Sequence, residues 1–422
     1  MHTDFFQFLR EHLFTLPALG KFAVGMTLII VLPTLSRRLH VPEAVGLLLG
    51  GVIVGPYVLD IFGAQRPIAE FMGELGKLLL MFFAGLEIDL ALFRRAQTRS
   101  VIFGLTTTSL PLLLGAAAGL FLGYAVVPAI VIGSLLASHT LLGLGTINRL
   151  GMNRLEPITV TVGATVMSDT LSLVVFAVCV SLFTTGFSAA GLALLLAEVI
   201  GYVLLVLFGL SRVGAWVLGK FEGDEDVYFI VMLAILAVAA VLAELVQLPG
   251  IVGAFLAGLA VNATTHEKPA SAKLRFFGRA LFIPIFFLVT GFLINPMAFA
   301  SDIIANFPIV AALVAALLIG KWLAAELTGR AFHYSPIARA TVWSLTLPQV
   351  AATLAATLVA YKTFDHAGRR LLDGHLLNAV LVLVLVTAIL GPVLTERFAP
   401  RMLAEEGKSE EQPSPTPRSA GA

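Results

Sequence analysis

The 422-residue sequence predicts an all-α polytopic membrane protein, with about 13 transmembrane helices, inverted-topology repeats and two broken, crossing helices. Three observations carry that prediction. The chain is 58% hydrophobic and 13% charged, against about 25% charged in a soluble domain. Its apolar residues gather in runs of about 20, the length at which a helix crosses a hydrocarbon core. Lys and Arg crowd the loops of one side.

Thirteen apolar runs are read as spans, with ends blurred by several residues: 17–36, 42–59, 71–92, 101–124, 128–148, 157–183, 190–211, 226–246, 249–264, 279–295, 305–330, 337–360 and 375–397. The first run has no basic leader and no small-residue cleavage site before Arg37-Arg38, so it reads as a retained helix rather than a signal peptide. Residues 1–398 form one transmembrane domain. Residues 399–422, polar with Pro and Ser throughout, read as a short disordered tail.

Orientation follows from the basic residues. Arg37, Arg94, Arg99, Arg149, Arg212, Lys273, Arg330 and Arg397 share one side, while the other holds far fewer, among them Arg10, Arg66 and Arg369. The N-terminus is therefore expected outside and the C-terminus inside. The host is a cell membrane, the inner one in a Gram-negative cell. The formal net charge of +1 gives no field to attract nucleic acid. Cys179 is the single cysteine and can close no internal disulfide. Asn262-Ala263-Thr264 matches a glycosylation sequon, but on this topology it faces the cytoplasm.

The chain repeats itself. Pro42–Gly51 resembles Pro249–Gly258, and Gly85-Leu86-Glu87-Ile88-Asp89 resembles Gly291-Phe292-Leu293-Ile294-Asn295 at nearly the same offset. The two copies begin on opposite sides of the membrane. Such inverted repeats mark secondary transporters whose site lies between the copies.

Asp169 stands near the middle of span six, roughly 18 Å from its inner end. A charge at the bilayer centre costs about 3 kcal/mol on insertion scales, so it marks a bundle interior or a water-filled cavity. Lys321 lies roughly 13 Å deep, and His139 and Gln349 roughly 15 Å deep. Two spans at this depth look interrupted. Ala137-Ser138-His139-Thr140 breaks span five, and Ser344-Leu345-Thr346-Leu347-Pro348-Gln349 breaks span twelve. Pro348 frees backbone carbonyls. Irregular backbone at such depth is tolerated only inside protein or beside a cavity, and the carbonyl end of a half-helix suits a cation.

The ion or proton ligands expected from this reading are Asp169, Ser168, Ser138, Thr140 and His139, with Lys321 as a supporting charge. Thr346, Pro348 and Gln349 supply the broken-helix backbone. Each also has a plainer reading: Lys321 as a structural partner of Asp169, His139 as a hydrogen-bonded packing residue, Gln349 as a satisfier of freed backbone, and Ser168 as a bond to a carbonyl one turn back. Glu87, Asp89, Glu244 and Glu326 lie near span ends and rank below Asp169; Glu198 is the deepest rival. Lys21 and Lys77 are expected to snorkel to the outer interface.

These residues resemble the cation:proton antiporter superfamily of sodium/proton exchangers, in its Kef-like branch, over residues 17–397. The carrying motifs are Gly163-Ala164-Thr165-Val166-Met167-Ser168-Asp169, Pro284-Ile285-Phe286-Phe287-Leu288-Val289-Thr290-Gly291, Gly320-Lys321 and Leu248–Gly258. The resemblance implies that Asp169 binds the cation or the proton, that Lys321 faces it, and that the two broken helices cross beside the site. It also implies a core bundle moving against a dimerisation bundle in a homodimer. One position departs: many electrogenic members carry an acid just before the essential Asp, and here it is Ser168. Nucleotide or thiol control through cytosolic domains is not expected.

The function expected is therefore secondary active exchange of sodium or potassium for protons by alternating access, electroneutral, with no enzyme activity and no cofactor. Its partners are protons, the alkali cation, the lipid bilayer and a second copy of the chain. The alternatives are a cation channel, for which no filter motif appears, and a proton-coupled symporter of another solute. An intramembrane enzyme would need a catalytic pair or metal ligands, and no HExxH motif is present.

Overall fold

A computed structural model describes residues 16–39, 42–86, 97–186, 189–221, 224–246, 248–265 and 269–410. In lipid each backbone polar group needs an internal partner, so helix dominates. In chain order the helices are α1 (Ala18–Arg38), α2 (Glu43–Val54), α3 (Arg66–Leu86), α4 (Gln97–Phe121), α5 (Val126–Ala137), α6 (Leu144–Arg149), α7 (Glu156–Thr185) and α8 (Ala189–Leu204). They continue as α9 (Ser211–Lys220), α10 (Glu225–Leu245), α11 (Gly250–Thr265), α12 (Pro269–Phe277), α13 (Ile283–Gly291) and α14 (Pro296–Ala305). The last four are α15 (Phe307–Ala331), α16 (Pro336–Thr346), α17 (Ala351–Lys362) and α18 (Gly374–Glu410). Wider π turns, Leu205–Leu210 and Gly278–Phe282, join α8 to α9 and α12 to α13.

Every expected span falls on one or more of these helices. Among the described residues, 8 helices are long and apolar enough to cross a membrane by length and composition. Span five divides between α5 and α6, and span twelve between α16 and α17, as the sequence predicts. The last span runs past its expected end at 397. Thr395, Ala399 and Met402 sit at i, i+4 and i+7 on one helix face and are all buried, so packing carries α18 beyond the predicted boundary of the tail. Residues 411–422 of that tail lie outside the described residues, as do Glu87 and Asp89.

The helices sort into two bundles. One packs α1–α3, α8–α11 and α13; the other packs α4–α7 and α15–α18. Their meeting is confined mainly to α7 with α8 and α11, and α17 with α3. The repeat read from sequence is the first bundle's packing rule. A Cβ on Gly51 of α2 would fall 1.9 Å from Leu288 O and 3.1 Å from Gly291 Cα on α13. Its counterpart Gly258 of α11 would place one 2.0 Å from Phe82 O on α3, whose Gly85 faces back onto Phe255 O at 2.1 Å. Each repeat's glycine thus lets it cross the other repeat's glycine at backbone contact. Gly258→Ala is expected to lower stability by about 1–3 kcal/mol, the usual cost of overpacking. Thermal unfolding of the purified protein reads this against Gly201→Ala, where nothing lies within 4 Å; equal midpoints would refute the close crossing.

Asn262 of the sequon is buried, and its side-chain amide donates to Leu86 O at 2.7 Å, capping the end of α3. Lys21 and Lys77 do not snorkel. Both are buried, Lys21 donating to Gln65 Oε1 at 2.9 Å and Lys77 pairing with Glu74 at 2.5 Å, because a local acceptor meets each ammonium before it reaches the surface.

Apolar packing between the bundles is one-sided. The largest cluster holds Leu173, Phe176 and Val180 of α7 with Leu354 and Leu358 of α17, together with Leu79 of α3 and Ile251 of α11. The N-terminal half of α7 contributes Ile158, Val160 and Ala164 to clusters made only from the second bundle. The bundles are therefore packed together on the Arg-poor half of α7, and among the described residues they share no such cluster on the other half.

Candidate ion-binding site

The two interrupted helices cross through direct hydrogen bonds. Past Ala137 the chain leaves the helix at Ser138, and past Thr346 it does so at Leu347–Val350. The main-chain N–H of Thr140 donates to Pro348 O at 2.8 Å, and Gln349 Nε2 donates to Ser138 O at 2.5 Å. Thr353 Oγ1 donates to Gln349 Oε1 at 2.6 Å, and the Gln349 main-chain N–H donates to Thr387 Oγ1 at 3.1 Å. Buried backbone groups are almost always paired, and each break here supplies partners for the other. Gln349 is fully buried and does what its plainer reading held: it satisfies freed backbone. Thr346 Oγ1 turns back to Trp343 O at 3.0 Å and does not join the crossing.

Asp169 lies on α7 against this crossing. The main-chain N–H of His139, at the first break, lies on the side of its carboxylate. Asp169 is partly exposed as a residue, yet its Oδ1 is buried and has no hydrogen-bond partner. An unpaired buried carboxylate oxygen is costly, about 1–3 kcal/mol or more for a charged group. Its neighbour Ser168 is fully buried, and its hydroxyl reaches two acceptors, Thr165 O at 3.1 Å and His139 Nδ1 at 3.2 Å, with one proton to give them.

His139 is held by three side chains. Nε2 lies 3.1 Å from Thr165 Oγ1, and Nδ1 lies 3.2 Å from Ser168 Oγ and 3.5 Å from Lys321 Nζ. The Thr165 hydroxyl donates to Thr161 O, so it accepts from Nε2–H. An ammonium only donates, so Nδ1 facing Lys321 carries a lone pair. The pattern is that of a neutral imidazole protonated on Nε2.

Lys321 and Asp169 are near enough to act on one another electrostatically, but they do not touch. Among the described residues, no ion pair within 4.0 Å joins them. The fully buried ammonium instead donates to Ala137 O at 2.7 Å and Thr107 O at 3.1 Å. Both acceptors are carbonyls left over by helix irregularity. Ala137 ends the half-helix α5. Thr107 lies four residues before Pro111, which has no N–H to give it. Gly320 permits the approach, since a Cβ there would fall 2.8 Å from Pro111 Cα. The Gly320-Lys321 pair thus reads as a close crossing followed by a charged cap, and cations favour a helix's carbonyl end.

With this geometry in view, the comparisons with known proteins agree. Residues 25–398 match the family described as sodium/hydrogen exchanger, transmembrane. The chain belongs to the sodium/hydrogen exchanger family. It is 40% identical over 381 residues to the Na(+)/H(+) antiporter NhaS5 of Synechocystis sp., covering 90% of this chain and 55% of that protein. The chain thus spans little more than half the length of that relative. It is 27% identical over 368 residues to the Na(+)/H(+)-K(+) antiporter GerN of Bacillus cereus, covering 86% of this chain and 92% of GerN. In three dimensions it is similar to the sodium proton antiporter MjNhaP1 of Methanocaldococcus jannaschii, with a TM-score of 0.70 at 17% identity, covering 92% of this chain and 98% of that one. That likeness bears on the fold.

Around this crossing, four contributors escape the sequence reading: Thr107, Thr165, Thr353 and Thr387. Each is a threonine in an apolar helix, where a hydroxyl ordinarily bonds its own backbone. Thr165 had a visible signal, one turn before Asp169. The others gain their roles only from partners far along the chain. Glu198, the deepest rival carboxylate, is exposed on α8, and Glu326 pairs with Arg330 and Arg339.

Proposed function

We propose that the chain exchanges sodium or potassium for protons at Asp169, by alternating access between the two bundles, as an electroneutral homodimer. The observation that carries this reading is the buried Asp169 Oδ1 without a partner, set beside two crossed half-helices. A buried carboxylate with an unpaired oxygen can take either a proton or a cation. Nearby oxygens suited to an alkali cation are the hydroxyls of Ser138 and Thr140, while Ser168 and His139 are engaged elsewhere and support the site. The names of NhaS5 and GerN, which print sodium, proton and potassium exchange, support the substrate class.

The one-sided seal supports alternating access. Closure on the Arg-poor half, with Asp169 partly exposed, fits a site open toward the Arg-rich side. Transport in sealed vesicles, loading sodium or potassium in turn and reading internal pH, tests the function; no cation-driven proton movement with either ion would refute it.

Electroneutrality follows from counting charges. Asp169 is the carboxylate at the crossing, Lys321 is occupied as a helix cap, and the neutral imidazole of His139 faces an ammonium. One proton or one cation then moves per half-cycle. The expected equilibrium cation gradient is the same at clamped potentials of either sign. One net charge per turnover would instead be worth about 2.3 kcal/mol per 100 mV, a shift of more than tenfold. A voltage-dependent gradient would make His139 the second proton site to test.

The asymmetry of Arg and Lys supports an outside N-terminus and a cytoplasmic C-terminus in a cell membrane. A cytoplasmic reporter fused after Ala422 is expected to be active, and activity of a periplasmic reporter there would reverse the assignment.

A further inference from the structure

The last helix runs alongside the second break. Thr387, Gly391 and Thr395 are spaced i, i+4 and i+8, so they share one face of α18, and all three are buried. Against that face stand Gln349, Pro348 and Ser344, in the reverse order that antiparallel helices give. The main-chain N–H of Gln349 donates to Thr387 Oγ1 at 3.1 Å. The Thr387 hydroxyl turns its own proton toward Val384 O at 3.4 Å, which leaves a lone pair for Gln349. A Cβ on Gly391 would fall 2.5 Å from Pro348 Cγ and 2.7 Å from Pro348 Cδ, so the proline ring rests on bare backbone there. The hydroxyls of Ser344 and Thr395 meet at 2.9 Å. At the Arg-rich end Ser335, the N-cap of α16, donates to Glu405 Oε2 at 2.7 Å.

Pro348 and Gln349 turn their remaining groups to the first break. Pro348 O accepts from the Thr140 N–H, and the Gln349 amide donates to Ser138 O. These two residues therefore stand between α18 and the segment that carries the Ser138 and Thr140 hydroxyls. A helix end has lost part of its own hydrogen-bond ladder, so its place is set by bonds made from outside. Among the described residues, Thr387 makes the side-chain bond by which α18 holds the main chain of this break. The inverted repeat gives α18 the position of α7, since each is the fourth span after its copy of the paired motif. Where α7 brings a carboxylate to the crossing, α18 brings a hydroxyl and a bare glycine.

We propose that Thr387 and Gly391 are positioning residues for cation binding. They fix Pro348 and Gln349 in place, and through them the Ser138 and Thr140 hydroxyls beside Asp169. The proposal rests on the reading of Asp169, Ser138 and Thr140 as the cation site. It gives α18 no contact with the ion and no part in carrying the proton.

The test is transport in sealed vesicles over a series of sodium or potassium concentrations. Thr387→Val keeps the shape of threonine but offers the Gln349 N–H no acceptor, so the break relaxes toward another partner and cation binding must rebuild it. The half-saturating concentration is expected to rise about tenfold, the upper end of what one neutral hydrogen bond contributes, with a smaller change in maximal rate. Thr387→Ser restores the hydroxyl and is expected to stay within about twofold of native. Thr395→Val removes a buried hydroxyl from the same face, two turns away, and is also expected to stay within about twofold, which separates positioning from loosened packing of α18. Gly391→Ala pushes Pro348 off the same face without stranding a donor; it is expected to raise half-saturation as well, and it decides the matter if Thr387→Val does not fold. Native half-saturation in the folded Thr387→Val protein, or in Gly391→Ala in its stead, overturns the positioning role. An equal rise in Thr387→Ser or Thr395→Val overturns it too. Asp169→Asn run in parallel separates the two failures. If it still exchanges, the Asp169 reading fails; if it is silent while Thr387→Val keeps native half-saturation, only the positioning role fails.

Discussion

Asn in place of Asp169 is expected to reduce cation-driven proton movement below about 1% of the native rate, a loss of about 2.7 kcal/mol or more in the barrier. The amide is nearly the same size, and the hydrogen bonds that hold the crossing do not run through Asp169, so the crossing stays intact. What is lost is the ability to be neutral with a proton and negative without one. A neutral amide cannot offset a cation's charge in a site away from water, where the Coulomb term is several-fold stronger than in bulk. The measurement is dissipation of a preset proton gradient on adding sodium or potassium, with thermal unfolding as the control. A well-folded Asp169→Asn protein that keeps more than a few per cent of native exchange removes the central carboxylate from the mechanism.

Loss of the Lys321 ammonium is expected to act first on stability. Met in its place fills similar volume but strands Ala137 O and Thr107 O, at about 1–3 kcal/mol for each buried carbonyl. Lys321→Gln keeps a donor and is expected to fold better and to retain some exchange. The cause of the demand for a donor can be tested separately. Pro111→Ala restores an N–H opposite Thr107 O, so Lys321→Gln should cost less in that background, by about 0.5 kcal/mol or more of coupling. Strict additivity of the two substitutions would show that Lys321 does not serve the proline break. Complete loss of exchange in a well-folded Lys321→Gln protein would instead make it part of the exchange chemistry.

Much of the fold was legible because membranes simplify the rules. Apolar runs of spanning length, the basic loops and the paired motifs Pro42–Gly51 and Pro249–Gly258 follow from local composition. The two interruptions were visible as polar residues and Pro348 at midspan depth. The end of α18 was misplaced because a polar composition after residue 398 hid a buried face of Thr395, Ala399 and Met402. Lys21 was assigned to the interface because its acceptor Gln65 lies 44 residues away along the chain, whereas the acceptor of Lys77, Glu74, stands one turn before it and was legible.

The sequence alone determined the class of protein, the inverted repeat and Asp169 as the group a bilayer would not tolerate without use. Those follow from the cost of burying charge and from helix length, which depend on neighbours a few residues away. The tertiary structure alone decided what Lys321 does. Its acceptors Ala137 and Thr107 lie 184 and 214 residues away along the chain. The same holds for the face His139 turns to Lys321 and for the bond Gln349 gives to Ser138 O. A hydrogen bond is short-ranged in space and indifferent to separation in sequence. Which freed carbonyl meets which donor is therefore set only when the two bundles have folded and the broken helices have crossed.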